Sequence, residues 1–164
     1  MKVTSAAFTN GRIADEYGSR GTEFGTAGMP ARSFPVEISD APAGTASFAL
    51  IFDDPDSRPT CGFTWVHWLV AGLKYSSLPA DASRTDSRII QGANSWNGHG
   101  TDLRGSSVYG GPCPSDRPHT YVLRVLALDF EPALKPGFSC EALTKVAKNH
   151  ILAKAELRGL YEPA

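Results

Sequence analysis

The 164-residue chain has neither a surplus of charge of one sign nor a long apolar run. Sixteen Lys and Arg stand against seventeen Asp and Glu, a formal charge of −1. The two signs are interspersed, which removes the electrostatic footprint expected of a nucleic-acid-binding or membrane-surface protein. Any anion bound here has to be captured locally. Cysteine is scarce: Cys61, Cys113 and Cys140 are an odd number without CxxC spacing. That speaks against a disulfide framework and a structural zinc site, and fits a reducing, cytoplasmic setting. The opening MKVTSAAFTNGR lacks the apolar core of a signal peptide, and no later run approaches membrane-spanning length, so no integral membrane segment is expected. HxH and HExxH spacings, internal repeats and linkers are missing as well. A single domain over residues 1–164 is the expectation, without metal or other cofactor.

What is present centres on SFALIFDDPDSRPTCGFTWVHWLV, residues 47–70. Two apolar, strand-like runs are joined by an acidic loop carrying prolines. Strand alternation puts Phe48, Leu50 and Phe52 on one face, and Asp54 continues that row beyond the apolar residues. In the second run the same counting groups Trp65, His67 and Leu69 against Val66, Trp68 and Val70, so His67 stands in a row of large apolar groups and both faces read as buried. YGGPCPSDRPHTYVLRVLALD at 109–129 repeats the device, with His119, Tyr121 and Leu123 sharing a face. Two histidines, a tyrosine and an acidic loop converge.

Around these blocks the pattern predicts a first strand over 2–8, closed by the TNG turn, and an edge strand over 33–39 that tolerates Pro35. Residues 74–108 are turn-rich, with RII at 88–90 as a short strand. A connection of that length usually has a function, and it is expected to border the site. Ser139 is an N-cap for a helix from Cys140 to about His150, with Leu143, Val146, Ala147 and His150 on its packing stripe. Alternation of Ala153, Ala155 and Leu157 with Lys154, Glu156 and Arg158 gives a final strand over 152–161. Many short strands and one late helix make a mainly-β sandwich.

Asp54 and Asp56 bracket Pro55, which stiffens their spacing. Aspartates in such a turn also serve simply as caps for backbone amides. His67, His119 and Tyr121 supply imidazole and phenol donors for a phosphoryl or carboxylate oxygen, and a carboxylate behind an imidazole favours its protonated form. GGPCP at 110–114 is a turn whose glycines let backbone approach an anion. Cys113, six residues before His119, is the alternative chemistry: a thiol nucleophile with a histidine base, in a hydrolase or isomerase. Its flanking prolines leave no helix N-terminus to lower its pKa. A third reading is an interaction module working through its surface, with a protein partner or a second copy in a homodimer.

SFALIFDDPDSRP, VHWLV and YGGPCP followed by HTY resemble, in order and spacing, the motifs of the phosphatidylethanolamine-binding protein family, in its bacterial and archaeal Raf-kinase-inhibitor-like branch. The motifs cover about 46–128, with looser similarity from Phe8 to Tyr161. The resemblance implies a β-sandwich with Greek-key connections, one or two short helices and a long glycine-rich loop. It implies a small anion pocket for phosphate-like groups, such as a phospholipid headgroup, without cofactor or catalysis. Carried over by position, the pocket comprises Asp54, Asp56, His67, Gly111, Pro112, His119 and Tyr121. Two departures stand out. The proline of SRP falls one residue late, moving to Arg58–Pro59 a bond that is cis in the family, and 97–107 is an extra loop expected at the pocket mouth. The chain also stops at Ala164 without the carboxy-terminal helix of the eukaryotic relatives, so no kinase-regulating role is carried over.

Overall fold

A computed structural model describes residues 1–164. Ten strands run in chain order: β1 (Lys2–Thr4), β2 (Phe8–Thr9), β3 (Arg12–Ile13), β4 (Val36–Ser39), β5 (Ser47–Asp54), β6 (Trp65–Leu73), β7 (Ser77–Leu78), β8 (Ile90–Gln91), β9 (His119–Leu128) and β10 (Ile151–Tyr161). They form two sheets, a small one ordered β1-β4-β7 and a seven-stranded one ordered β2-β3-β10-β9-β5-β6-β8. The large sheet is mixed: β3 meets β10 in parallel through Arg12 and Leu160, and its other neighbours are antiparallel.

β5 and β9 lie at the centre of the large sheet because their sequences have no polar face to offer water. Every residue of β5 is buried, and so are all of β9 except Thr120 and Arg124. One face carries Phe48, Leu50, Phe52, Tyr121, Leu123 and Val125, which pack with Val3, Val36, Ile38 and Leu78 of the small sheet. At the middle of this core Phe34, wholly buried, meets the rings of Phe8, Tyr17, Phe52, Trp68 and Tyr109 edge-on at 4.9–6.4 Å. The opposite face carries Ala49, Ile51, Leu69, Ala71 and Leu126, closed off by Leu143 and Ala147 of a helix. The sandwich predicted from the alternation is therefore present, with the β5–β9 pair covered on both sides.

Several boundaries shift. The predicted strand over 2–8 divides: β1 pairs with β4 up to Thr4, the chain turns through Ser5, and Phe8 joins the other sheet through β3. The strand expected over 33–39 starts only at Val36. Instead of one or two helices there are four, α1 (Arg58–Cys61), α2 (Ala82–Thr85), α3 (Leu103–Ser106) and α4 (Cys140–Ala147). α1 occupies what reads as loop. Pro59 stands at its start, where a fixed φ suits the first helical turn, and Gly62, at φ +82°, closes it by donating its amide to Arg58 O at 2.9 Å. No peptide bond is cis, Arg58–Pro59 included. α4 starts as predicted, with Ser139 Oγ accepting from the Ala142 amide at 3.1 Å, but ends at Ala147. His150 leaves the helix stripe for Asp129, 2.7 Å away, and for the ring of Phe130, while Val146 faces solvent.

One irregularity matters for the site. Along the β5–β6 ladder Phe52 pairs with Trp68, but the next residue, Asp53, pairs with Val66. His67 is thus the extra residue of a bulge, opposed by nothing on β5. Uniform alternation, which placed His67 with Leu69, fails at this point. Leu69 turns to the α4 side, whereas the His67 ring reaches Phe52 and Tyr121 on the inter-sheet side, at 5.6 and 5.1 Å between centroids.

Candidate functional site

At the ends of β5, β6 and β9 a cavity of ≈ 250 Å³ opens to solvent, lined by Asp54, Ser57, Thr60, Cys61, Trp65, His67, Trp96, Cys113, Pro114, Ser115, His119 and Tyr121. Of the residues expected from the sequence, Asp54, His67, His119 and Tyr121 meet on this wall. Asp56, Gly111 and Pro112 stand behind it. Asp56 Oδ2 accepts from the Thr120 amide at 2.9 Å and so fastens the start of β9 to the acidic turn. Gly111 donates its amide to Pro30 O and Gly110 to His67 O, at 2.9 and 2.8 Å, leaving neither for an anion. Gly111 is needed for space: a Cβ there would lie 2.2 Å from Tyr17 O. Pro112 O accepts from the Ser19 amide at 2.8 Å.

Asp54 has two jobs. Oδ1 caps the turn by accepting from the Asp56 amide at 2.9 Å, and Oδ2 meets His119 Nδ1 at 2.7 Å. Both partners of the latter contact are almost wholly buried. Burial pushes the Asp54 carboxyl above its ordinary pKa, against His119 and the Asp56 amide, which favour the ionised form. The other nitrogen of His119, Nε2, meets Asp116 Oδ1 at 2.9 Å. Two carboxylate acceptors on one imidazole call for a proton on each ring nitrogen, the imidazolium form. Asp116, much more exposed than the ring it holds, sits at the mouth. Its partial burial opposes ionisation but is outweighed by loop amides and by His119, so its carboxyl is held below the ordinary value.

His67 is different in kind. Its Nδ1 lies 2.6 Å from Gly110 O, and a carbonyl only accepts, so Nδ1 carries the hydrogen. Burial lowers the pKa to about 4, against the raising effect of the Gly110 and Gly111 backbone. The ring is neutral at pH 7 and its Nε2 is an acceptor. The sequence-based expectation of a His67 donor is therefore met only if a second proton arrives. The unfolded chain takes up this proton near pH 6.5 and the folded chain near 4, so acid favours unfolding between those values. Relative to His67→Asn, the wild type should lose about 3 kcal/mol of stability from pH 6.5 to 4, read from urea unfolding at both pH values. Equal pH dependence in the two proteins would place the imidazole in solvent.

Tyr121 is fully buried, and burial together with the Asp54 carboxylate pushes its pKa far up, so it remains a phenol able to donate. Trp65 and Trp96 form an aromatic wall at 5.2 Å between centroids, Trp96 leans on His67, Phe63 stacks on Trp65, and His99 meets Trp65 at a tilt. The buried Trp65 indole N–H has no partner. Of the long 74–108 connection, Trp96 lines the cavity directly and His99 acts through Trp65. Trp65, Trp68 and Trp96 read from the sequence as core, pocket wall or both: Trp65 and Trp96 line the cavity and Trp68 lies in the core, while Asp116 and Cys61 are site features without a sequence signal of that kind. For Asp116 the one available signal is its position three residues before His119. No three His, Cys, Asp or Glu side chains are grouped to share a metal ion. Asp53, next to Asp54 but on the other face, pairs with Arg124 at 2.5 Å in a second cavity beneath α4.

The family model described as phosphatidylethanolamine-binding protein matches residues 4–162. The chain is 38% identical over 158 residues to the uncharacterized protein YxkA of Bacillus subtilis, covering 90% of this chain and 92% of that protein. It is 33% identical over 165 residues to a UPF0098 protein of Chlamydia trachomatis, with 99% of each covered. Among solved structures, a phosphatidylethanolamine-binding protein homolog from Chlamydia trachomatis, CT736, matches with a TM-score of 0.80 at 33% identity, over 99% of this chain and 97% of that one. E. coli YbcL, described as a new member of the mammalian family, matches at 0.79 with 29% identity, over 99% and 98%. No helix of the chain is long and apolar enough to cross a membrane.

Proposed function

Since this chain belongs to the phosphatidylethanolamine-binding protein family, we propose that its cavity is a non-catalytic binding site for a small phosphate-bearing ligand. One observation carries the reading: a buried imidazole, backed by Asp54, turns its outer nitrogen to the mouth and already holds a carboxylate oxygen there. The site is preorganised for an anion on His119 Nε2. Tyr121 supplies a second donor from within the cavity. His67 Nε2 accepts a hydrogen bond from the ligand, given by a phosphate hydroxyl or an ammonium, and so selects for ligands that bring such a donor. Removal of water from the buried donors strengthens each bond. The ligand's phosphate arrives from the mouth, while the aromatic wall of Trp65 and Trp96 contacts whatever the phosphate carries.

Catalysis through Cys113 is the weaker reading. Cys113 lies on the rim, but the base assigned to it, His119, has both ring nitrogens engaged with carboxylates.

The test is an NMR titration of the histidine ring resonances with inorganic phosphate and with O-phosphoethanolamine. Saturable shifts at His119 and His67 are expected, with affinity lowered about tenfold or more in Tyr121→Phe, which keeps the ring and removes one hydrogen bond to a charged group. Unshifted rings at millimolar ligand would dispose of the anion site.

A further inference from the structure

The outer face of the large sheet is only partly covered by α4, which is eight residues long. Along the helix side that carries Cys140, Thr144, Ala147 and Lys148, a second cavity of ≈ 390 Å³ stays open between helix and sheet. That volume falls within the range of small-molecule sites. The floor is apolar, made by Ile51 of β5, Leu126 of β9 and Ile151 of β10, with Ala147 of α4 beside them. The rim is charged: Arg124, Lys148 and Lys154 stand against Asp53 and Glu156, an excess of one positive charge. Asp53 and Glu156 both hold the Arg124 guanidinium, at 2.5 and 3.4 Å, and Glu156 also takes Arg158 at 2.9 Å. Thr144 Oγ1 is turned back on Cys140 O at 2.8 Å. Lys148 and Lys154, both exposed, pair with no carboxylate, so the charges left free on this rim are positive.

We propose that this cavity is a second binding site, independent of the one around His119, for a single-chain amphipathic carboxylate of the medium-length fatty-acid type. The chain lies on the apolar floor and the carboxylate faces the Lys148 and Lys154 ammoniums. Size limits the ligand first. At the ≈ 30 Å³ that a water occupies in the liquid, the cavity has room for about a dozen non-hydrogen atoms, one chain of about eight to ten carbons and its head group. A lipid with two long chains is too large. Charge then selects the head. A cationic head meets two unpaired lysines, and the carboxylates that could receive it are already held by Arg124 and Arg158. A neutral head leaves both lysines in water as they were. An anionic head gains from each of them, and the repulsion of Asp53 and Glu156 is offset by their arginines. The last turn of α4 does not turn a bare carbonyl on the ligand at Ala147, whose oxygen accepts from the His150 amide at 2.9 Å. Removal of the chain from water supplies most of the affinity, and the lysines orient the ligand.

The test is an amide-resolved NMR titration with octanoate, acetate, 1-octanol and octylammonium, run in excess inorganic phosphate so that a carboxylate has no advantage at His119. Octanoate should give saturable shifts at Thr144, Lys148, Ile151 and Lys154, and bind more tightly than each of the other three. Lys148→Ala and Lys154→Ala change exposed residues and leave the fold intact. Each should weaken octanoate by about two- to fivefold, the double variant by about tenfold, and neither should alter the binding of 1-octanol. Octanoate shifts that are missing from these amides, or that fall only on His67 and His119, would overturn the second site. Acetate bound as tightly as octanoate would overturn the role of the floor. Octanol bound as tightly as octanoate, or an octanoate affinity indifferent to both lysines, would overturn the carboxylate assignment.

Discussion

Phe34→Ala should lower the folding free energy by about 3–5 kcal/mol, the range for emptying a fully buried aromatic position. The upper half of that range is expected here, because the five rings around Phe34 meet it edge-on and belong to separate segments: Phe8 on β2, Tyr17 in the loop after β3, Phe52 on β5, Trp68 on β6, and Tyr109 before β9. A cavity at this junction cannot be filled by one side chain moving, since each neighbour is held by its own strand or by a bond such as Tyr109 Oη to Tyr17 O at 2.7 Å. Phe52 also packs on His67 and Tyr121, so the loss spreads to the site wall. Urea unfolding of Phe34→Ala and Phe34→Leu would test this. Leucine should cost much less, and equal small losses in both would mean that the rings re-pack freely.

The second large effect concerns the buried pair. His119→Ala leaves the Asp54 carboxylate in an almost dry site with only the Asp56 amide for company, and breaking such a pair costs about 3–5 kcal/mol. Asp54→Ala costs less, since His119 keeps Asp116 on its other nitrogen. The double variant should cost well below the sum, with a coupling of about 1–3 kcal/mol from denaturant midpoints of the four proteins. The penalty in His119→Ala should also shrink as pH falls from 7 to 5. Burial already pushes the Asp54 carboxyl up, removal of the imidazole pushes it further, and a protonated carboxyl is far cheaper to bury. Additive losses, or a penalty that grows in acid, would show that the pair is not the unit described.

The strongest sequence signals were those with period. β5, β6, β9, β10 and the Ser139 cap were readable because alternation and capping are local properties, and the convergence of Asp54, His119 and Tyr121 followed from strand faces alone. What escaped has no period. The bulge at His67 is invisible to a count that assumes two residues per repeat. The direction of the Gly110 and Gly111 amides depends on Pro30 and on the His67 carbonyl, one of them some eighty residues away in the chain. α1 hid inside a proline-bearing acidic loop, where turn residues and helix-start residues are the same ones. Asp116 was passed over because a reading in search of donors for an anion has no reason to expect a competing acceptor.

The bulge also separates two things that usually travel together. With His67 left out of the count, Trp68 stands opposite Phe52 and Val66 opposite Asp53, so the pairs on the two sides of the bulge are in step. The imidazole thus sits on a residue that the β5–β6 pairing does not use and that is held instead by its two bonds to Gly110. Loss of this one residue would take away the cavity's acceptor and its bonds to Gly110 without removing either neighbouring strand pair, so the presence of the sandwich is by itself no guarantee of a working pocket.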